Sequence, residues 1–483
     1  MSAVMDTLSK RKQTILEASE RYSKEYTNWL SKKAYFQSED LRYLKFLIPE
    51  GLRILDVGCG LGDKLSALKP CYGVGLDFSP KLIHQAQQRH ADPNLRFIVA
   101  DVEKSELEEL DNETFDIILL SDVIGSFEDC QQTLETLKQF CTHETRIIVS
   151  YYSRLWDPII KIAEQCNQKF PQPENNYLST LDISNLLSLA KFKPIKREWR
   201  QLIPKHWYGL GPLINRTIGT LPGIRRLCLR NYIVARPILK PTTSSPSVSV
   251  VIPCRNEEGN IEPAITRLPK LCDDVEIIFI EGHSKDGTLQ EIKRVIQAYP
   301  QHNIKLLVQD KKGKGDAVRK AFDHASKDIL MILDADLTTP PEDMPKFYEA
   351  IASGTGEFIN GSRLVYPMEN QAMRFLNFLA NKTFSWIFSY LLNQRFTDTL
   401  CGTKVLYKKD YLKIANNRNY FGDFDPFGDF DLIFGASKLN LEVVEIPVRY
   451  AARTYGSTQI SRFQHGWLLL RMVVFAFRKL KAF

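Results

Sequence analysis

The 483-residue sequence predicts an α/β protein built as two separate units. Three observations point there. From Arg53 onward, short apolar runs alternate with amphipathic stretches, as strands and helices do in a mostly parallel sheet. The alternation stops at 237–247, PILKPTTSSPS, where Pro, Ser and Thr crowd together and no periodicity survives. It restarts at 248 with a new apolar strand. The expected division is therefore 1–236, a linker 237–247, and 248–483. Length agrees, since a usual domain has roughly 100–200 residues.

Composition narrows the class. With 44% apolar and 25% charged residues the chain reads as globular, not disordered. A net charge of +7 suits phosphates, nucleotides or anionic lipid without choosing among them. Nine cysteines without a Cys-x-x-Cys pair argue against structural zinc or a disulfide framework and for a reducing compartment. The opening MSAVMDTLSKRKQ lacks an apolar core segment. The run WLLLRMVVFAF at 467–477 is too short to span a bilayer and contains Arg471. A cytoplasmic protein is expected, soluble or peripheral on the membrane face.

In the first unit, residues 1–48 read as a charged helical extension with spaced aromatics, Tyr22, Tyr26, Trp29 and Tyr35. The strand RILDVG then runs into a Gly-rich turn, Leu55 to Asp63, whose glycines let backbone pass close to a ligand. Asp77 ends the next strand, where an acid can accept from both ribose hydroxyls. Asp101-Val102 ends the third, where a carboxylate meets an exocyclic amine of adenine. FDIILLSD brings Ser121 and Asp122 to the end of the fourth, and RIIVSYY is the fifth. A dinucleotide fingerprint needs a further Gly where Asp63 stands. That acid and Asp56 repel a pyrophosphate and suit the cationic amine and sulfonium of S-adenosylmethionine.

Over about 50–236 the chain resembles class I methyltransferases, which implies a Rossmann-like fold. By that resemblance Asp56, Gly58, Gly60, Asp77, Asp101 and Val102 bind S-adenosylmethionine, and Ser121 flanks the methyl group. Many relatives carry a His where this chain reads SDVIGSF, so no base is assigned. Methyl displacement on an activated cation can rest largely on positioning. His84 and His143 read as surface residues.

In the second unit, the apolar run Ile329 to Leu333 is followed by Asp334 and Asp336. Residues two apart in an extended chain point the same way, and two adjacent carboxylates call for a cation. Hard oxygen ligands suit Mg²⁺ or Mn²⁺, which neutralises a leaving diphosphate. Three earlier strand ends carry polar groups: Pro253 to Glu258, then Glu281 to Thr288, then Lys311 to Ala317. The last is a Gly- and Lys-rich helix start suited to phosphate.

This set resembles family-two glycosyltransferases of GT-A fold, in the dolichol-phosphate mannosyltransferase-like branch, over about 247–465. The resemblance implies that Asp334 and Asp336 bind the metal. It places Pro253, Asn256, Glu257, Glu281, Lys314, Asp316 and Asp334 on the nucleotide sugar, and Arg363 and Arg453 on phosphates. Glu281-Gly282 stands where relatives have paired aspartates, and Thr338 where some have a metal-contacting Gln. Asp429 and Asp431 fall where many have a catalytic base for a hydroxyl acceptor; a phosphate acceptor needs none.

Two segments suit either core packing or a bilayer interface: 375–392, FLNFLANKTFSWIFSYLL, and the basic, aromatic 462–483. The expected protein is thus a bifunctional enzyme. It transfers a sugar with inversion to a glycan, glycolipid or polyprenyl-phosphate acceptor, and it methylates with S-adenosylmethionine. The alternatives are a membrane-docked scaffold with an inactive methyltransferase half, or a nucleic-acid methyltransferase with an accessory domain. Only Arg225, Arg226 and Arg230 hint at the latter, so no nucleic acid is expected.

Overall fold

The computed structural model describes residues 9–104, 107–172, 174–239, 245–366, 375–418, 429–453, 455–456 and 462–482. The chain divides into two compact units, Met1–Leu239 and Lys240–Lys481.

The first unit opens with a helix, Lys10–Leu47, capped by Ser9, whose side chain accepts from Lys12 N. Seven strands follow: β1 (Arg53–Val57), β2 (Tyr72–Asp77), β3 (Leu95–Val99), β4 (Phe115–Ser121), β5 (Cys141–Tyr152), β6 (Phe192–Arg200) and β7 (Arg230–Pro237). They lie in the order β3-β2-β1-β4-β5-β7-β6. The first five are parallel, and β7 runs antiparallel between β5 and β6. Leu55, Val57, Ile118, Leu120, Ile147 and Val149 are core residues, as expected of strands covered on both faces. Register puts Val57 beside Leu76 and Leu120, so β1, β2 and β4 end together on one edge.

The second unit repeats the logic with β8 (Val248–Cys254), β9 (Val275–Glu281), β10 (Asn303–Val308), β11 (Ile329–Ile332), β12 (Phe358–Ser362), β13 (Lys404–Tyr407) and β14 (Val443–Pro447). The order is β10-β9-β8-β11-β13-β12-β14. The first four are parallel, and β13 is antiparallel to both β11 and β12. Val250, Ile252, Phe279, Met331, Phe347 and Val405 lie in its core. Both architectures, Rossmann-like and GT-A, are present.

The sequence reading stopped at five strands in each unit. It missed β6, whose FKPIKREWR is too charged to show an apolar run, and β7, β13 and β14. Both sheets are consequently mixed.

Candidate active sites

In the first unit the turn after β1 is tight. Gly58 has φ +73°, and a Cβ there would lie 2.6 Å from Val123 Cγ2. Asp56 and Asp77 are buried at the strand ends. Asp77 accepts from Gly60 N at 3.0 Å and Ser79 N at 2.9 Å, so the second strand's acid shapes the first strand's turn. Burial pushes the Asp56 carboxyl up to about 7; Lys64 opposes the rise and Asp77 adds to it. Burial likewise pushes Asp77 up to about 6, against the two backbone N–H groups. Two buried acids with raised pKa values suit a cationic ligand. The S-adenosylmethionine amine and sulfonium fit that requirement.

Asp101 is tied to the N-terminal helix. Its Oδ2 accepts from Lys12 Nζ at 2.5 Å and its Oδ1 from Glu103 N at 3.2 Å. Val102 is buried in the core, leaving only its backbone to face a ligand. Ser121 is tied to Lys64 Nζ at 2.5 Å and to Ser150 Oγ at 2.9 Å.

Beside Ser121 lies a charge cluster that the sequence reading did not find. Arg230, fully buried at the start of β7, reaches Asp40 of the first helix at 3.0 Å and also pairs with Asp122. Lys64 lies 3.0 Å from Asp40 and 3.4 Å from Asp122. Burial alone would raise the Asp40 pKa, but Arg230 and Lys64 outweigh it and hold the carboxyl below the usual range. A cavity alongside is lined by Asp122, Gly125, Tyr151, Tyr152, Asn175 and Tyr177, among others. Its place beside the β4 end suits a methyl acceptor. Asp40 and Arg230 lie 190 residues apart and carried no local motif.

In the second unit the acid pair follows β11. Asp334 Oδ1 accepts from Lys314 Nζ at 2.5 Å. Burial opposes its ionisation, but Lys314, then Lys404 and Arg363, prevail and keep the carboxyl low. Asp336 pairs with Arg453 through one oxygen; the other accepts from Thr338 Oγ1 at 2.8 Å and Thr338 N at 3.1 Å. Both acids therefore attract cations, which is what a divalent metal site needs. Among the described residues no third His, Cys, Asp or Glu joins them to make a three-ligand cluster. Such a metal would take further oxygens from diphosphate and water.

The remaining expected donor positions make contacts that fix local backbone, and Glu257 shares Arg453 with Asp336. Asn256, at φ +56°, accepts from Lys285 N at 2.8 Å. Glu257 accepts from Asn260 Nδ2 at 2.7 Å and lies 3.5 Å from Arg453. Glu281, expected on a base or ribose, has one oxygen on Ser284 N at 2.5 Å. Asp316 accepts from Lys311 N at 2.8 Å, closing the loop before helix Lys314–His324. Pro253 is partly exposed next to the end of β8.

Arg363, expected on a phosphate, makes a two-pronged pair with buried Asp398, Nε at 2.6 Å and Nη2 at 2.9 Å. Asp398 is the partner the sequence reading missed; it stands 35 positions away in a segment that reads as a plain loop. Asp431 lies 3.4 Å from Arg418 and 3.9 Å from Arg319. The Asp429 side chain lies outside the described residues.

Residues 48–203 match the methyltransferase domain family, and 249–413 match glycosyl transferase family 2. The chain joins one domain of each family. The dolichol-phosphate mannosyltransferase of Saccharomyces cerevisiae is 35% identical over 109 residues, 21% of this chain and 40% of the relative. The undecaprenyl-phosphate 4-deoxy-4-formamido-L-arabinose transferase of Edwardsiella ictaluri is 25% identical over 218 residues, 44% of this chain and 62% of the relative. The chain thus spans less than two thirds of the length of these curated relatives.

Solved structures with similarity include a methyltransferase of Thermotoga maritima described as S-adenosylmethionine-dependent (TM-score 0.37, 18% identity, covering 46% of this chain and 100% of that one). Another is glucosyl-3-phosphoglycerate synthase of Mycobacterium tuberculosis in complex with Mn²⁺ and UDP (TM-score 0.36, 16% identity, covering 49% and 80%). Among the described residues no helix is long and apolar enough to cross a membrane.

Proposed function

We propose that the family-two domain transfers a sugar, with inversion, from a nucleotide-sugar donor to a polyprenyl-phosphate acceptor, and that the methyltransferase domain uses S-adenosylmethionine. The carrying observation is that Asp334 and Asp336, in the turn just after β11, are each already paired with a cation. Mg²⁺ or Mn²⁺ held there would offset charge on the leaving diphosphate. Asp334 and Asp336 would hold the ion, and Lys314 and Arg453, released from them, are placed to meet phosphate oxygens. Asp398 fixes Arg363, which retains Nη1 for an acceptor phosphate. A phosphate acceptor is already ionised, so the reading does not depend on Asp429 or Asp431 as a base.

In the methyltransferase domain Asp56 and Asp77 bind the cofactor's cationic and ribose groups, and Gly58 and Gly60 admit it. The two activities belong to 1–236 and 248–483, joined by 237–247. The names of the relatives, both polyprenol-linked transferases, support a lipid-phosphate acceptor. So do the helices Phe375–Leu392 and Arg462–Leu480, which pack together and expose Trp386 and Trp467 beside Lys382, Arg471 and Lys479. We place the protein in the cytoplasm, peripheral on the membrane.

The test is donor turnover with a panel of nucleotide sugars and a short polyprenyl phosphate, with and without Mn²⁺. Metal-dependent transfer lost in Asp336→Ala supports the reading. Folded wild type that neither binds nor turns over any donor would sink it.

A further inference from the structure

Between β6 and β7 the chain leaves the first sheet for residues 201–229 and returns. This insertion carries a turn at Trp207–Gly209, a helix at Leu210–Arg216 and further turns at Ile218–Thr220 and Ile224–Leu227. Its base is fixed. Gln201 Nε2 donates to Phe36 O at 2.9 Å, and Asn215 bonds Tyr35 Oη and both backbone groups of Ile203 at 2.9 Å each. Its crown is the reverse of a core. Trp207, Tyr208, Leu210 and Leu213 are 52%, 106%, 57% and 58% exposed. Trp207 and Tyr208 also hold φ at +43° and +51°. Two successive aromatic residues in the left-handed region carry a backbone cost.

Charge follows the same segment. Between Arg200 and Arg230 stand Lys205, Arg216, Arg225 and Arg226 and no Asp or Glu; the next acid after Glu198 is Glu257. Arg225 is drawn inward to Glu198 and Trp199, whereas Lys205, Arg216 and Arg226 are exposed. Trp156 Nε1 donates to Leu227 O at 2.8 Å, which sets exposed Leu155, Ile159 and Ile162 at the insertion's flank.

We propose that the 201–229 insertion is a docking surface of the methyltransferase unit for an anionic lipid bilayer. The apolar crown enters the interface, and Lys205, Arg216 and Arg226 lie against headgroup phosphates. A soluble surface rarely gathers this many apolar side chains without a partner. A second copy of the chain fits poorly, because a two-fold contact would set these basic residues against each other with no acid to answer them. A nucleic acid would use the cations but not the leucines. Phe36, whose carbonyl anchors the insertion, stacks on Tyr152 at 5.7 Å, and Tyr152 lines the cavity beside Asp122. Docking would therefore bring that cavity close to the lipid surface. The proposal is independent of the donor and acceptor proposed above, and of the helices Phe375–Leu392 and Arg462–Leu480.

The experiment uses the full chain with phosphatidylcholine vesicles, with or without phosphatidylglycerol. It is repeated in a Trp386→Ser/Trp467→Ser background so that the other unit does not mask the result. Hydrogen exchange should slow within 205–229 only when phosphatidylglycerol is present. Trp207→Ser/Tyr208→Ser/Leu213→Ser should weaken vesicle partition by roughly tenfold without changing the melting temperature. Lys205→Ser/Arg216→Ser/Arg226→Ser should remove most of the dependence on phosphatidylglycerol and on salt. Unchanged exchange in 205–229 together with unchanged partition of both variants overturns the proposal. So does vesicle-independent self-association in light scattering that the apolar variant abolishes, which would make the surface a subunit contact.

Discussion

Lys12 Nζ sits 2.5 Å from Asp101 Oδ2 and 2.8 Å from Glu103 Oε2, so the first turn of the N-terminal helix is pinned to the end of the third strand. Arg11, its neighbour, donates to the carbonyls of Gly125 at 2.8 Å and Phe127 at 2.6 Å. Tyr22 packs against Leu61 and Leu82 farther along. The helix thus touches the loops after β1, β3 and β4, those that shape the cofactor pocket. If Asp101 takes the adenine amine, that amine competes with Lys12 for the carboxylate. Lys12→Met should then tighten S-adenosylmethionine binding by up to about fivefold, the upper range measured for ion pairs near the surface. Calorimetry measures it; weaker binding in this variant would mean that Lys12 supports the pocket.

Asp56 and Asp77 set the pH behaviour of the same site. Their raised pKa values, about 7 and about 6, mean that the empty pocket holds protons a cationic ligand must expel. Affinity for S-adenosylmethionine should rise between pH 5.5 and 7.5, in units of roughly tenfold per proton released per pH unit. The sign for stability is opposite. A carboxyl whose folded pKa is raised contributes stability that is full below the unfolded value and is lost as pH rises through the folded one. The empty enzyme should accordingly lose part of its melting temperature from pH 5 to 7.5 and regain it on adding cofactor. Asp56→Asn should flatten both profiles.

These acids were legible in the sequence because each ends an apolar strand, and strand ends in an open α/β sheet gather on one edge. The pairing partners were not. Lys12 meets Asp101 across 89 positions and Arg453 meets Asp336 across 117, distances at which periodicity is silent. Arg363 was identified by its motif, yet its partner Asp398 lies in a loop with no apolar period to flag it. The antiparallel strands escaped for a related reason: β6 is half charged and β13 has four residues, so neither shows an apolar run.

Gly402 offers a direct probe of the acid pair. A Cβ on it would fall 1.8 Å from Asp334 Oδ2 and 2.4 Å from Lys314 Nζ. Both atoms end flexible side chains, so Gly402→Ala should fold, but only by moving the Asp334 carboxylate and Lys314 from their present positions. Mn²⁺ binding should weaken by about tenfold or more, since one of two carboxylate ligands is lost. Calorimetric titration with Mn²⁺ alone reads this without turnover. Unaltered affinity would place the ion elsewhere.

Arg230 carries the most severe test of packing. It is fully buried between Asp40 and Asp122, donates to Ser150 Oγ at 3.1 Å, and has Tyr152 and Tyr232 beneath its guanidinium. Removing one member of such a cluster leaves charge buried without its partner, which costs about 3–5 kcal/mol. Lys64 still reaches both acids, so Arg230→Met should fall toward the lower end of that range in urea unfolding. Asp40, held below the usual carboxylate range by Arg230, contributes stability at neutral pH that disappears as pH falls through its folded pKa. That acid-side loss should shrink in Arg230→Met. Adding Asp40→Asn should restore part of the stability, because the amide removes the stranded charge while keeping an acceptor for Tyr232. A double variant no more stable than Arg230→Met would show that the cost comes from lost packing over Tyr152 and Tyr232 instead of from the excess of buried acid over Lys64 alone.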